Sequence, residues 1–112
     1  MKELFSSMLD AVLRGEDVVL CSIIAASGST PRGAGAKMAV FADGTALGTV
    51  GGGAVEYQSI CTAKEVLRTR KSGTKNFCLD RNDIADIGMI CGGDVVICFQ
   101  FFAHDGAQII LL

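Results

Sequence analysis

Tryptophan is absent from this chain, and proline, histidine and tyrosine occur once each among 112 residues. Aromatic residues make up only 6% of a sequence that is 50% apolar, so its core must be built from aliphatic side chains. The single histidine, His104, lies near the C-terminus and allows no Ser/His/Asp catalytic set. Nor does it permit zinc-ligand spacing, because no Cys-x-x-Cys pair accompanies it; no metal site is expected. No apolar run approaches the roughly 20 residues that span a bilayer. Residues 1–15 carry charges and no signal-peptide pattern, so the chain reads as cytoplasmic, with no membrane association. A net charge of -2 and the lack of an aromatic-basic stripe exclude nucleic acid as a partner. Two nucleotide motifs are missing as well: no Gly-Lys-Ser/Thr follows the glycines, and no GxGxxG is present.

The length suits one domain with a real core. Five cysteines are scattered at Cys21, Cys61, Cys78, Cys91 and Cys98, a pattern of reduced thiols rather than a disulfide framework. Cys21 and Cys98 fall inside apolar runs and read as small core residues.

Residues 2–14 predict an amphipathic helix, with Leu4, Phe5, Met8, Leu9 and Val12 at helical spacing and Gly15 as its stop. Asp17 to Ala26 is a β-branched run that predicts a strand buried on both faces. Ser27 to Ala36 is a loop by composition, and Lys37 to Ala42 a short strand. Asp43-Gly44 signals a hairpin into a strand from Thr45 to Val50. A helix follows from about Ala54 to Arg70, with Val55, Ser59, Ile60, Ala63, Val66 and Leu67 on one face. Thr74 to Leu79 and Asp94 to Phe102 complete the strands, the latter as a central one, with a polar turn at 80–83. The final Ile109 to Leu112 reads as an edge strand or the start of a linker. The whole predicts a single α+β domain: a mixed sheet of five or six strands with two packed helices.

The most informative stretch is Gly48-Thr49-Val50-Gly51-Gly52-Gly53-Ala54-Val55-Glu56, a strand running through three glycines into a helix. Glycine admits close backbone approach, and the first amides of a helix favour an anion. A tight crossover that binds nothing accounts for it equally well. Glu56 falls on the apolar side of the helix, either satisfying its own helix terminus or aimed into a site. Two loops accompany the glycines. Gly28-Ser29-Thr30-Pro31-Arg32-Gly33-Ala34-Gly35 brings hydroxyls and an Arg; Arg32 and Lys37 are suited to clamp a phosphate. Gly88-Met89-Ile90-Cys91-Gly92-Gly93 sets a thiol among glycines, where a thiolate could ligate a metal or attack sulfur.

Taken in order, Gly-Ser-Thr-Pro-Arg-Gly-x-Gly-x-Lys-Met, Asp-Gly, Gly-Thr-Val-Gly-Gly-Gly-x-Val-Glu and Gly-Met-x-Cys-Gly-Gly resemble the N-terminal domain of the XdhC/CoxI family, accessory proteins of xanthine and carbon monoxide dehydrogenases. The resemblance runs from about Asp17 to Phe102. It implies transient binding of the molybdenum cofactor (molybdopterin), protection during sulfuration, and delivery to a molybdenum hydroxylase client. It points to Ser29, Pro31, Arg32, Gly51, Gly52, Gly53, Glu56, Gly92 and Gly93 as cofactor-binding residues and to Cys91 as the thiol near the metal. Many members carry Cys where this chain has Gly53. Typical members also continue into a Rossmann-like domain, which is expected to be absent here.

Three functions are carried forward. The first is a cofactor-handling chaperone that turns nothing over by itself. The second is a non-catalytic module docking on the hydroxylase or on a partner Rossmann-like subunit. The third is a sulfur-transfer enzyme with Cys91 as the carrier. An exposed sheet edge is compatible with a homodimer.

Overall fold

The computed structural model describes residues 2–28, 34–79 and 93–104. In chain order these form α1 (Lys2–Leu13), β1 (Val18–Gly28), β2 (Lys37–Phe41), β3 (Ala46–Gly48), α2 (Gly53–Thr69), β4 (Gly73–Leu79) and β5 (Gly93–Phe102). The five strands make one sheet in the order β3-β2-β1-β5-β4.

The expected α+β class, with two helices and five strands, is the architecture found. Among the described residues all pairings are antiparallel, where a mixed sheet was expected. The reason lies in the crossover. A strand-helix-strand unit normally sets its two strands side by side and parallel. Here β3 and β4, joined by α2, do point the same way, but they occupy opposite edges of the sheet. β2, β1 and β5 lie between them, so the two parallel strands never pair.

Helix α1 buries Leu4, Met8, Ala11 and Val12, one stripe at helical spacing. It ends in a Schellman motif: the Gly15 N–H donates to the Val12 carbonyl (3.0 Å) and the Glu16 N–H to the Ala11 carbonyl (2.9 Å). Gly15 takes φ +89°, which its missing Cβ allows. Helix α2 buries Val55, Ser59, Ala63 and Val66, the predicted face.

The helices cover opposite faces of the sheet. On one, α2 residues pack with Val19, Cys21, Ile23, Met38, Val40, Phe77, Val95, Ile97 and Phe99. On the other, α1 packs with Val18, Leu20, Ala39 and Phe102. Successive residues of a strand point to opposite faces, so β1 is buried on both sides from Val18 to Ile23, as its sequence predicts, whereas Ile24, Ala25 and Ala26, beyond the reach of β2, are exposed. β5 is an interior strand, also as predicted. Strand β3 is shorter than the expected Thr45 to Val50, because Gly48 turns to φ +88° and takes the chain out of the ladder. β1 instead outlasts Ala26, because Ser27 and Gly28 still pair with Asp94 and Gly93. The apolar run Ile109 to Leu112 lies outside the described residues.

Candidate functional site: the glycine corner and its sheet end

Strand register fixes which loops share an end of the sheet. Gly28 pairs with Gly93, and Gly93 with Leu79. Lys37 pairs with Ser22, and Met38 with Gly48. The ends of β1, β3 and β4 and the starts of β2 and β5 therefore lie at one end, and all three sequence motifs depart from it. They do not depart at one level. Strand β1 runs on from Ser22 to Gly28, an overhang of about 20 Å at the usual strand rise. Gly28 and Gly93 sit at its tip, and the glycine corner at its foot. The chain returns from the tip to Gly35, whose N–H donates to the Ile23 carbonyl (2.8 Å).

The corner itself is built from close contacts. A Cβ on Gly48 would stand 2.6 Å from the Lys37 carbonyl oxygen, so only glycine fits where β3 leaves β2. The Thr49 N–H donates to that same carbonyl (3.2 Å). Val50 is buried in the α2-side core and anchors the turn. Gly51, Gly52 and Gly53 follow with φ of +125°, +74° and +60°. Gly52, with ψ -175°, is the N-cap of α2 and lies in a region that is essentially glycine-only. A Cβ there would meet nothing within 4 Å, so the space beside it is open.

Glu56 closes the corner from within. Its Oε1 accepts a hydrogen bond from the Thr49 hydroxyl and another from the Gly52 N–H (3.2 Å). Thr49 Oγ1 in turn accepts from the Gly51 N–H (3.0 Å). Of the two readings open for Glu56, this geometry is the acid that satisfies its own helix terminus. The N-cap has no side-chain cap, so the first turn of α2 keeps amides without an internal partner.

Gly51, Gly52, Gly53 and Glu56 are thus together. Lys37 is not with them. Its Nζ lies 3.4 Å from Ser22 Oγ, and its register position shares the α1 face with Ala39, opposite to α2. Gly93 stands at the strand tip, paired with Gly28. Ser29, Pro31, Arg32, Cys91 and Gly92 lie outside the described residues.

Three other thiols can be placed. Cys21 is fully buried; burial, with the Cys98 thiol nearby, pushes it up to about 12, which makes it inert near neutral pH. Cys98 is half-buried on the other face and Cys61 is exposed.

The opposite end of the sheet holds a polar cluster that no local pattern announces. Asp17 Oδ1 accepts from the His104 N–H (2.9 Å) and lies 2.8 Å from His104 Nδ1. Asp17 Oδ2 lies 3.6 Å from Arg70 Nη1, and the Arg70 guanidinium stacks 5.1 Å from the Phe101 ring centroid. Partial burial acts to raise the Asp17 carboxyl, but the His104 hydrogen bonds and the charges of His104 and Arg70 outweigh it and hold it below its ordinary value. Only the position of Asp17 at a strand entrance and the uniqueness of His104 were visible in the sequence. A cleft of about 310 Å³ between α1 and the β2–β3 hairpin, lined by Asp10, Arg14, Glu16 and Asp43 among others, contains none of the expected cofactor-binding residues.

The XdhC and CoxI family model matches residues 11–77, more than half of the chain. The uncharacterized protein YqeB of Escherichia coli K12 is 39% identical over 74 residues, which are 66% of this chain and 14% of that protein. A crystal structure of a xanthine dehydrogenase from Bacillus halodurans is similar with a TM-score of 0.66 and 25% identity, over 87% of this chain and 30% of that one. The chain therefore spans well under a third of the curated relative's length and about a third of the solved chain's.

Proposed function

Because the chain belongs to the XdhC and CoxI family, we propose that it is an accessory factor of a molybdenum hydroxylase of the xanthine or carbon monoxide dehydrogenase type, which holds the molybdenum cofactor during sulfuration or insertion. The observation that carries the reading is the departure of three family-like motifs from one end of the sheet, with an uncapped helix start among them. The likeness to a Bacillus halodurans xanthine dehydrogenase chain supports the link to that enzyme class.

The corner fits an anionic group. The first turn of α2 offers amides, its dipole favours negative charge, and the space beside Gly52 is open. The N–H of Gly53 and those of the next residues in the first turn of α2 would hold the terminal phosphate, while Gly51 and Gly52, whose N–H groups are taken by Thr49 and Glu56, would shape the open space beside it. Arg32 would supply the cation, since Lys37 is turned to the other face. Ser29, Pro31, Gly92 and Gly93 would border the site, and Cys91 would lie nearest the metal end. Glu56 keeps the glycines in shape rather than touching the anion, which its own charge would repel. The redox chemistry is supplied by the cofactor; this chain binds, orients and releases it, in the cytoplasm, as a homodimer.

Fluorescence titration with released molybdopterin at low and high salt tests the reading. Binding that weakens as salt rises is expected, because a phosphate held by Arg32 and a helix start is screened. No binding at either salt would sink it. That result would favour the second reading, a docking module on the hydroxylase or a Rossmann-like subunit. The internal satisfaction of Glu56 already speaks for that alternative.

A further inference from the structure

The two edges of the sheet are unequal. β3 offers three residues, whereas β4 offers seven, paired with β5 from Gly73 to Leu79 without a bulge. Among the described residues nothing pairs with the outer side of β4, and its sequence Gly-Thr-Lys-Asn-Phe-Cys-Leu holds one charge and no proline. Such an edge is a template for another strand. We propose that β4 is the self-association surface, pairing antiparallel with β4 of a second copy about a two-fold axis at Asn76 and joining two sheets into one. This deepens the homodimer of the proposed function and rests on that part of it alone.

Geometry and charge select the register. A two-fold axis between antiparallel neighbours stands perpendicular to the sheet, so facing residues lie on the same face and the axis passes between two copies of one residue. An axis at Lys75 sets two ammonium groups against each other, which is destabilising. An axis at Phe77 leaves Gly73 and Thr74 without partners. The axis at Asn76 uses all seven residues. It brings each Lys75 opposite the Phe77 of the other copy, repeating the contact made within one chain, where Lys75 Nζ lies 5.5 Å from the Phe77 ring centroid. Asn76 is exposed on the face away from α2. At the axis its amide can donate to and accept from its own copy.

Sedimentation analysis of the intact chain tests the proposal. A dimer at micromolar concentration is expected, weak because a single strand edge buries little area. Asn76→Lys and Asn76→Glu each place like charges at the axis and should weaken the dimer at least tenfold. An equimolar mixture of the two should restore it, since opposite charges then face each other. Unchanged circular dichroism of both variants separates this from misfolding. A monomeric wild type, a dimer indifferent to both variants, or a mixture that stays monomeric would overturn the assignment. None of these results bears on molybdopterin titration, which fails or succeeds separately.

Discussion

Glu56 is the residue on which the corner depends. Removing its carboxylate in Glu56→Ala leaves the half-buried Gly52 N–H and Thr49 hydroxyl without their acceptor, a loss of about 0.5–1.5 kcal/mol per hydrogen bond. A lowered melting temperature is expected, with a smaller loss for Glu56→Gln, which keeps an acceptor oxygen. Equal melting of Glu56→Ala and wild type would mean that the corner holds itself. The glycines are not equivalent either. Gly52→Ala meets no neighbour and suffers only its glycine-only backbone, about 1–3 kcal/mol. Gly48→Ala suffers a comparable backbone and also drives a Cβ to 2.6 Å from the Lys37 carbonyl, so it should melt lower. The reverse order would refute the close approach of β3 and β2. Asp17 makes a pH prediction. Its folded pKa lies below the ordinary 3.8, so its contribution is fully present above that value and is lost as pH falls through the lowered one. Asp17→Asn should flatten the acid limb of the stability curve below about pH 4; an unaltered limb would show that the cluster is not coupled to folding.

At the scale of elements, the sheet is held from both faces, and each face can be tested by one truncation. Phe99→Ala on the α2 side should cost about 3–5 kcal/mol and Met8→Ala on the α1 side about 2–5 kcal/mol, read by denaturant unfolding. A small loss at Met8 would mean that α1 is merely appended. The elements were legible in the sequence where a local signal defines them. The period of Leu4, Met8 and Val12 marks α1, the β-branched runs mark β1 and β5, and Asp43-Gly44 marks the β2–β3 hairpin. Their arrangement was not. Strand, glycines, helix and strand suggest a parallel pair, yet β5 comes to lie beside both β1 and β4 through burial of Val95, Ile97 and Phe99, which no local window encodes. The candidate site divides in the same way. Glu56 as a first-turn acid follows from helix geometry, whereas the face taken by Lys37 depends on its pairing with Ser22. The contact of Asp17 with His104 joins residues 87 positions apart, beyond any spacing argument.

For the whole molecule, the polarity of the sheet separates two kinds of work. One end carries the motif-bearing loops, and the other carries the Asp17, Arg70 and His104 cluster that ties the entrance of β1 to the exit of β5. The insertion of β5 between β1 and β4 has a further consequence, for synthesis on the ribosome. Val18 must wait for Phe102, and β4 emerges before the strand that will seat it. Until residues 93–102 leave the exit tunnel, β1 has only β2 beside it, and α2 waits with its apolar face over half a sheet. Folding therefore waits for β5 and is driven by late, long-range pairing of the kind that slows folding and exposes nascent chains to aggregation. A chain stopped at residue 92 should bind a hydrophobic dye and melt without cooperativity; a sharp transition in that fragment would show that the meander and α2 fold as they emerge.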